Sequence, residues 1–244
     1  MTALNGQIWR QARLQPEVRA EMFALHRRYF CGVEQSRFLA DMAEKDWVFL
    51  LIDQAGRVGG YSTARLLRLT VDGREDHFLF SGDTVVDRPY WNTTVLPACF
   101  CHLMQRLLRE GHGHDLYWFL ITKGFRTYRY LPVYFKMFYP RYDAPTPAAF
   151  QRRLDAVARH KFGDHYHAAT GLIAAPGEKE RLTAELAVVP EHRQHDPHVA
   201  FFLRRNPEHM HGVELACLAQ LAPENFRPTI YRLQAHTAVT WHEA

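Results

Sequence analysis

The sequence predicts an α/β fold of the α+β kind, with a central mixed, mostly antiparallel sheet flanked by helices and a C-terminal α/β extension. Two observations lead to this prediction. Three apolar runs joined by turn signals follow one another within residues 47–86, as in a meander of antiparallel strands. The apolar period then becomes helical over residues 93–111, and the apolar run at 116–122 has the length of a buried strand.

The first part of the chain predicts two helices. Apolar side chains recur at helical spacing from Val18 to Tyr29, with Pro16 near the start and Gly32 beyond the end, so we expect an amphipathic helix over residues 16–30. A shorter helix is expected in "EQSRFLADMAEK", which directly precedes the first apolar run.

Three strands follow as a meander. The runs "WVFLLID" (47–53), "VGGYSTARLLRLTV" (58–71) and "DHFLFSGDTVV" (76–86) are apolar and bounded by turn signals. The dipeptide Asp72-Gly73 between the last two runs is a strong signal for a tight hairpin. The middle run contains two adjacent glycines, which are typical of a bulge or of a close backbone approach.

A helix follows the meander, and a change of pattern near residue 140 divides the chain. Thr93 or Thr94 can cap the helix expected over residues 93–111. We expect a core in residues 1–140 and an extension in residues 141–244 that packs on it. Within the extension, the apolar pattern predicts a helix at 150–163, a short strand at 171–175, a helix at 198–207 and a strand at 213–221.

Composition and cysteine usage limit the class of protein. With 47% hydrophobic and 23% charged residues among 244, the chain is typical of a globular protein. No run approaches the roughly 20 apolar residues of a membrane-spanning helix. The start "MTALNGQIWRQARLQPE" lacks the apolar core of a signal peptide, which predicts a cytoplasmic protein. Reduced thiols are expected because no CxxC pair occurs among Cys31, Cys99, Cys101 and Cys217.

An aromatic and basic segment directly follows the last apolar strand, in "LYWFLITKGFRTYRYLPVYFKMFYPRY" at residues 116–142. Eight basic and two acidic residues lie between Lys123 and Arg159, a surplus of six positive charges in a chain whose net charge is +4. This surplus indicates an anionic partner, and a solvated basic face is the alternative. The aromatic side chains fit either a binding cleft at the end of the strand or a helix packed on the sheet.

The stretch "SGDTVVDRPYWNTTVLPACFCHLMQRLL" resembles the fourth strand and following helix of the Gcn5-related N-acetyltransferase (GNAT) superfold. The earlier stretches "LHRRYF", "FLADMAEKDWVFLLID" and "GRVGGYSTARLL" are similar to those of its acyl-homoserine lactone synthases and long-chain N-acyl amino acid synthases. The resemblance covers residues 16 to about 140. It implies transfer of an acyl group, fatty ones included, from a coenzyme A or acyl-carrier-protein thioester to a small amine, amino acid or peptide. The thioester would be a co-substrate, with no bound cofactor.

The resemblance also implies catalytic roles. It places a general base on the fourth strand, at Asp83 in "SGDTVV", and a proton-donating tyrosine at Tyr134 in "VYFKMFYP". Burial of Asp83 would raise its pKa, and Lys136 or Arg129 would lower the pKa of the Tyr134 phenol. Several neighbouring tyrosines are alternatives to Tyr134. His77, at the start of the same strand as Asp83, is a second candidate for the base.

The donor-binding residues that the resemblance implies follow the fourth strand and lie in the aromatic segment. The family binds the coenzyme A pyrophosphate with a glycine-rich loop at a helix N-terminus. Here the corresponding "YWNTTVLP" contains no glycine. We therefore expect acetyl-coenzyme A to be a poorer donor than a longer acyl thioester. The implied donor-binding set is Val85, Val86, Trp91, Asn92, Thr93, Thr94, Lys123, Arg126 and Arg129.

Two other interpretations concern metal and nucleic acid. His192, His195 and His198 recur every three residues, but the Asp-Pro within this run indicates an extended loop, so we expect no metal site. A non-catalytic module of the same fold would instead use the interleaved Arg and Tyr of "FRTYRY" to bind an anionic partner or RNA. The modest pI of about 8.9 disfavours nucleic acid.

Overall fold

A nine-stranded sheet forms the centre of the molecule in the computed structural model, which describes residues 4–112, 116–174 and 180–243. The sheet and a separate pair, β2 with β9, are built from β1 (Asn5–Arg10), β2 (Phe30–Cys31), β3 (Trp47–Ile52), β4 (Val58–Val71), β5 (Arg74–Val86), β6 (Leu116–Thr122), β7 (Tyr166–His167), β8 (Leu172–Ile173), β9 (Arg181–Leu182), β10 (Glu214–Gln220) and β11 (Val239–His242). The order in the sheet is β11-β1-β3-β4-β5-β6-β10-β8-β7. Only β1 with β11 and β5 with β6 pair in parallel among these strands, so the mixed, mostly antiparallel sheet is confirmed.

Helices cover both faces of the sheet. They are α1 (Pro16–Tyr29), α2 (Gln35–Ala43), α3 (Val95–Leu107), α4 (Phe125–Tyr128), α5 (Tyr130–Tyr134), α6 (Ala148–Phe162), α7 (Ala184–Ala187), α8 (Glu191–Gln194), α9 (Pro197–Arg205) and α10 (Pro228–His236). One face packs on α3, α5 and α10 through a single large apolar cluster. The other face packs on α6 beside β5 and β6, and on α1 and α2 beside β3 and β4. None of the helices in the described residues is both long and apolar enough to cross a bilayer.

The meander folds as its turn chemistry predicts. Asp72 and Gly73 both adopt positive φ angles, 52° and 77°, which close a tight hairpin between β4 and β5. The helices expected over 16–30, 34–45, 93–111, 150–163 and 198–207 are confirmed as α1, α2, α3, α6 and α9, and the strands expected over 47–53, 58–71, 76–86, 116–122 and 213–221 as β3, β4, β5, β6 and β10. The short strand expected at 171–175 is β8, and residue 175 lies outside the described residues.

The two chain ends extend the sheet in a way that the sequence did not predict. β1 pairs antiparallel with β3 and in parallel with β11, which begins more than 220 residues later in the sequence. At the other side, β10 pairs with β6. Residues after 140 therefore contribute strands to the same sheet as the preceding part. The division of the chain at residue 140 stays a prediction.

The aromatic segment is partly core and partly cavity wall. It forms two short helices, α4 and α5, in place of one long helix. Tyr128 is fully buried and donates its hydroxyl to the carbonyl of Pro140 at 2.9 Å. Phe135 and Phe138 are also buried. The end of the segment is fastened by Asn225, whose side chain exchanges hydrogen bonds with both backbone groups of Met137 and also donates to the carbonyl of Gln220.

We expect Asn225→Ala to lower the free energy of unfolding by about 2–3 kcal/mol, because it leaves a buried N–H and carbonyls without their partner. Chemical denaturation measures this change. Gln54→Ala, in an exposed turn, is the control and should be neutral. An Asn225→Ala protein as stable as the control would show that this side chain does not fasten the segment.

Candidate active site

The parallel pair in the centre of the sheet separates partway along its length. The last paired residues are Ser81 of β5 and Leu120 of β6. Beyond them, β5 stays paired with β4 as far as Val86, whereas β6 stays paired with β10 as far as Thr122. Because each strand keeps its other partner, the sheet splits, and backbone groups of β5 and β6 face a gap.

Three adjoining cavities open at this gap, and Thr84 and Thr127 border all three. The acidic cleft has about 910 Å³ of empty space, its open mouth included, and is lined among others by Asp41, Lys45, Asp83, Lys123, Glu180 and Glu214. The apolar pocket has about 470 Å³ of empty space, its open mouth included, and is lined among others by Leu96, Phe100, Cys101, Met104, Trp118 and Tyr134. The outer cleft has about 1500 Å³ of empty space, also with its open mouth included, and is lined among others by Val85, Val86, Trp91, Asn92, Arg126 and Arg129.

Asp83 is positioned by a β-bulge. The register between β4 and β5 shifts between Ser62 and Ala64, where Gly82 and Asp83 together oppose the single residue Thr63. A bulge re-aims the side chain beside it. Simple alternation would turn Asp83 toward α3, like the residue two positions earlier, which borders the apolar pocket. The bulge instead directs Asp83 into the acidic cleft on the opposite face.

Gly82 allows the neighbouring chain segments to approach this bulge closely. A Cβ atom on Gly82 would lie 2.5 Å from Thr63 Oγ1 and 2.8 Å from Lys45 Cε. Both distances are shorter than van der Waals contact allows. The glycine before Asp83 is therefore required by the lack of space for a side chain.

A buried histidine faces Asp83 from α1. The ring of His26 is fully buried, and its Nδ1 lies 2.5 Å from the Tyr61 hydroxyl on β4. Its Nε2 lies 3.1 Å from Glu180 Oε2, a contact that lacks hydrogen-bond geometry. One donor atom each from His26, Asp83 and Glu180 lie within 4.8 Å of one another. Tyr61 therefore holds the ring while the second ring nitrogen faces the two carboxylates.

Both lysines of the acidic cleft have carboxylate partners. Lys45 is ion-paired with Asp41. The Nζ of Lys123 lies 3.5 Å from Glu180 Oε1 and 3.7 Å from Glu214 Oε1. Burial lowers the pKa of Lys123, but Glu214 and Glu180 raise it by more, so its pKa lies above the ordinary value. The lysine therefore stays charged between the two carboxylates.

Asp83 has the electrostatic properties of a base. Burial raises the pKa of its carboxyl to about 6, with further raising by Asp41 and Glu180, while His26 and Lys45 lower it. In residues 4–112, 116–174 and 180–243, no hydrogen bond or ion pair engages this carboxylate. A carboxylate with a pKa near neutrality and free oxygens is suited to accept a proton.

Thr93 and Thr94 lie just before α3, and among the described residues neither borders the three cavities. The Oγ1 of Thr93 accepts a hydrogen bond from the Val95 N–H at 3.1 Å, and Thr94 directly precedes the helix. Their hydroxyl and backbone groups belong to the helix start. Their assignment to the donor stays a prediction.

Trp91 lies against the end of β5, in the stretch where the resemblance would place a glycine-rich loop. Its Nε1–H donates to the carbonyl of Val86 at 2.9 Å, which holds the indole against the end of β5. The guanidinium of Arg126 lies 5.3 Å from the centre of the indole ring and donates to the carbonyl of Leu186 at 3.2 Å. An aromatic and cationic surface therefore lies at this end of the outer cleft.

Two of the cations expected to bind the donor are ion-paired within the chain. Lys123 lies in the acidic cleft, and the Nε of Arg129 lies 3.2 Å from Asp196 Oδ2. Because carboxylates of the chain already engage both cations, they are weaker candidates for the donor phosphates than Arg126, and their assignment stays a prediction. The charge surplus of the aromatic and basic segment is largely neutralised in the same way, since six of its eight cations are paired: Lys123, Arg129, Arg141, Arg152, Arg153 and Arg159.

Tyr134 lies in the apolar pocket and not in the acidic cleft. Burial raises the pKa of its phenol, and Tyr130 and Cys101 add to this effect. The expectation that a nearby cation lowers this pKa is wrong. Lys136 donates to a main-chain carbonyl, and Arg129 is ion-paired elsewhere.

His77 lies far from the cleft. It pairs with Leu116 where β5 and β6 are still joined, and its Nε2 lies 2.7 Å from Glu75 Oε1. Six residues separate it from Asp83, about 20 Å along a strand. The expectation that His77 lies beside the cleft is therefore corrected, and we do not retain it as a base.

One nitrogen and two carboxylates, from His26, Asp83 and Glu180, would also suit a metal ion. In the part of the chain that the structure describes, this is the only group of three such side chains close enough to share one ion. The ammonium group of Lys123 beside Glu180 competes with a cation at this place. We therefore treat the trio as an acid–base group. His192, from the histidine run of the extension, borders the outer cleft instead.

Sequence reasoning missed most of the acidic cleft. His26 had a usable signal, because it lies four residues after Met22 on the apolar face of α1, where a histidine is unusual. Glu214 had a weaker one, as a carboxylate at the head of an apolar strand. Lys45 and Glu180 had none, since both lie in polar stretches that only the fold brings together.

No protein-family model and no curated protein matches this sequence. Several solved structures are similar to it. A probable N-acyltransferase from Enterococcus faecalis is 14% identical with a TM-score of 0.43, over 56% of this chain and 33% of that protein. A GNAT-family N-acetyltransferase from Escherichia coli, solved with coenzyme A, is 19% identical with a TM-score of 0.35, over 51% of this chain and 65% of that one. A GNAT-family acetyltransferase from Staphylococcus aureus is 11% identical with a TM-score of 0.41, over 61% of this chain and 92% of that one.

This chain spans less than two thirds of the length of the first two of these proteins. Its own fold and site define the class of protein. It is an α+β protein in which two central parallel strands separate, and an acid–base cleft, an apolar pocket and an outer cleft meet at the point of separation.

We expect Gly82→Ala to lower the stability by about 1–3 kcal/mol, because the new methyl group overlaps Thr63 Oγ1 and the Lys45 side chain. Thermal unfolding measures the loss. In a protein that already carries Thr63→Ala, the substitution Gly82→Ala should lower the stability less, because the nearest atom, Thr63 Oγ1, is no longer present. A Gly82→Ala protein with unchanged melting temperature would contradict the close approach.

Proposed function

We propose that the protein is an N-acyltransferase that moves an acyl group, fatty chains included, from a coenzyme A or acyl-carrier-protein thioester to an amine. The observation that carries this proposal is the Asp83 carboxylate, directed by a bulge to the place where the sheet splits, beside an apolar pocket. Acyl transfer to an amine requires a base for the amine and a site for the thioester. Both are available at this gap.

The gap between β5 and β6 suits the extended arm of the donor. Coenzyme A and acyl carrier protein both present their thioester on a phosphopantetheine arm that contains amide groups. Backbone groups of β5 and β6 beyond Ser81 and Leu120 face the gap, so they are available to hydrogen-bond such an arm as they would a strand. This path leads the thioester toward Thr84, where the three cavities meet.

The apolar pocket suits the acyl chain. Its wall is formed by residues of α3, α4, α5, β5 and β6 and carries no charged side chain among the described residues. Transfer of a hydrocarbon chain into such a pocket is favourable by about 0.8 kcal/mol for each buried CH₂. The apolar lining, and not the volume, is what supports a longer acyl chain as the preferred substrate.

The outer cleft suits the anionic part of the donor. Arg126 and Arg193 both border it, and burial together with the like charge of Arg193 lowers the pKa of Arg126. Two guanidinium groups held near each other favour an anion between them. The phosphate of the arm and the acidic surface of a carrier protein share this chemistry. Arg193 comes from the extension and was not foreseen.

The proposed reaction balances as an acyl transfer with two proton movements. The bound ammonium group of the acceptor gives one proton to Asp83 and becomes a neutral amine. The amine nitrogen then attacks the thioester carbon, the C–N bond forms, the C–S bond breaks, and the nitrogen loses a second proton as the thiolate gains one. Asp83 finally returns its proton to solvent.

Tyr134 is the proposed donor of the proton to the thiolate, and Tyr130 is the alternative. The two rings stack with their centres 5.7 Å apart and both border the apolar pocket. Burial raises the pKa of both phenols, so each keeps its proton at neutral pH. Tyr130 also borders the outer cleft, closer to the path of the arm.

A non-catalytic module that binds an anionic partner or RNA has less support. Its basic surface would come from residues 123–159, where most cations are ion-paired within the chain.

The proposed acyl transfer is tested by incubating the protein with acetyl, octanoyl and dodecanoyl thioesters of coenzyme A and of acyl carrier protein, together with a panel of amines. Intact mass should show acylated amine, formed faster from the longer thioesters. Absence of acylated amine with every donor would overturn the proposal.

We expect Asp83→Asn to slow transfer by about 100-fold or more, because the base is lost while the fold is kept. In the parent protein, kcat/KM should fall as the pH drops through about 6, where Asp83 gains a proton. The Asn variant should lack this acidic limb. Asp164→Asn, at an exposed position, is the control. An unchanged rate and pH profile would remove Asp83 from the mechanism.

We expect Arg126→Ala to raise the donor KM and to weaken its dependence on salt, with little change in kcat, since uniform binding is lost. Arg129→Ala is the matched comparison. Because Arg129 is paired with Asp196, its loss should reduce stability and leave the donor KM unchanged. Equal effects of both variants on the donor KM would contradict this distinction.

A further inference from the structure

The acidic cleft carries an excess of negative charge. Its lining among the described residues includes four carboxylates: Asp41, Asp83, Glu180 and Glu214. Three ammonium groups line it as well, those of Lys45, Lys123 and Lys161, and Lys161 shares Glu44 outside the cleft with Arg65. Four carboxylates against three ammonium groups leave at least one negative charge without a counter-charge in the described part of this cavity.

A buried nitrogen adds to the carboxylates. His26 is fully buried, and its Nε2 has no hydrogen bond of good geometry within the described residues. This atom lies with oxygens of Asp83 and Glu180 within a 4.8 Å span. An ammonium nitrogen with three hydrogen bonds of about 2.9 Å reaches acceptors up to roughly 4.7 Å apart. With the ring proton on Nδ1 and donated to the Tyr61 hydroxyl, Nε2 is an acceptor. In this tautomer the trio has the number and spacing of acceptors that one primary ammonium group requires.

The rest of the wall suits hydrocarbon. Six apolar side chains border the same cavity: Phe30, Phe80, Leu120, Ile121, Phe162 and Leu182. An acceptor with an ammonium group at one end and an apolar body behind it would match both parts of the cleft.

We infer that the acceptor is a cationic amine with an apolar body and with no carboxylate beside the amine. This inference rests on the proposed acyl transfer and narrows its substrate class. It departs from the amino acid acceptors that the sequence resemblance implied.

The exclusion of a carboxylate follows from the pairing of the lysines. An α-amino acid would place its carboxylate two bonds from the nitrogen, next to Asp83 and Glu180. Lys45 is already paired with Asp41, and Lys123 with Glu180. The added negative charge would therefore lie in a partly buried region that already has excess negative charge, where repulsion is weakly screened.

The test compares acceptors that differ only in this group. Pentylamine and norleucine differ by one carboxylate, and norleucinamide keeps the size of norleucine without its charge. With a saturating dodecanoyl thioester, we expect kcat/KM for pentylamine to exceed that for norleucine by about tenfold or more. Norleucinamide should close most of this gap. The difference should appear mainly in the acceptor KM.

A charge variant separates recognition from chemistry. Glu214→Gln removes one negative charge from the cleft without touching the trio, so the preference for pentylamine over norleucine should shrink several-fold while the donor KM stays unchanged. Glu208→Gln, at an exposed position, is the control.

The outcomes distinguish the inference from the function on which it rests. Norleucine acylated as efficiently as pentylamine, or a preference unaffected by Glu214→Gln, would overturn the inference while acyl transfer stands. Absence of any acylated amine, with or without hydrolysis of the thioester, would overturn the proposed function itself.

Discussion

The site depends on the separation of β5 from β6, which follows from the partners that each strand keeps. β5 remains joined to β4 through a bulge that increases the local twist, and β6 remains joined to β10. Beyond Ser81 and Leu120, β5 and β6 keep their pairing with these partners and no longer pair with each other. Backbone groups that would complete the sheet are thereby left facing a gap, where an extended ligand can take the place of a strand.

The same bulge also decides the chemistry, because it determines which face receives Asp83. On one face the gap meets α3 and an apolar wall, and on the other it meets α1, α2 and the polar ends of several elements. A shift of one residue moves a side chain from one face of a sheet to the other. The carboxylate therefore joins His26 and Glu180 and not the apolar pocket. Gly82 makes this arrangement possible because it leaves room for Thr63 and Lys45.

Folding redistributes the charge that the sequence displays. The conspicuous basic segment is largely neutralised, since its arginines find acidic partners both nearby and far along the chain. The cleft instead collects carboxylates from α2, β5, β10 and the residue before β9, none of which form a run in the sequence. The surface charge of a segment thus says little about its partner, whereas the unbalanced charge of a partly buried cavity is costly and therefore informative.

The sequence by itself determined the elements whose signals are local. The meander, its Asp72-Gly73 turn, α1, α3 and β6 follow from apolar period and turn chemistry, and the resemblance indicated Asp83. Tertiary structure alone decided the parallel pairing of β1 with β11, the bulge opposite Thr63, and the meeting of His26 with Glu180. The physical reason is that pairing partners, bulges and buried charge networks depend on contacts between distant residues. No local period or propensity records such contacts, because each is fixed only when the core packs.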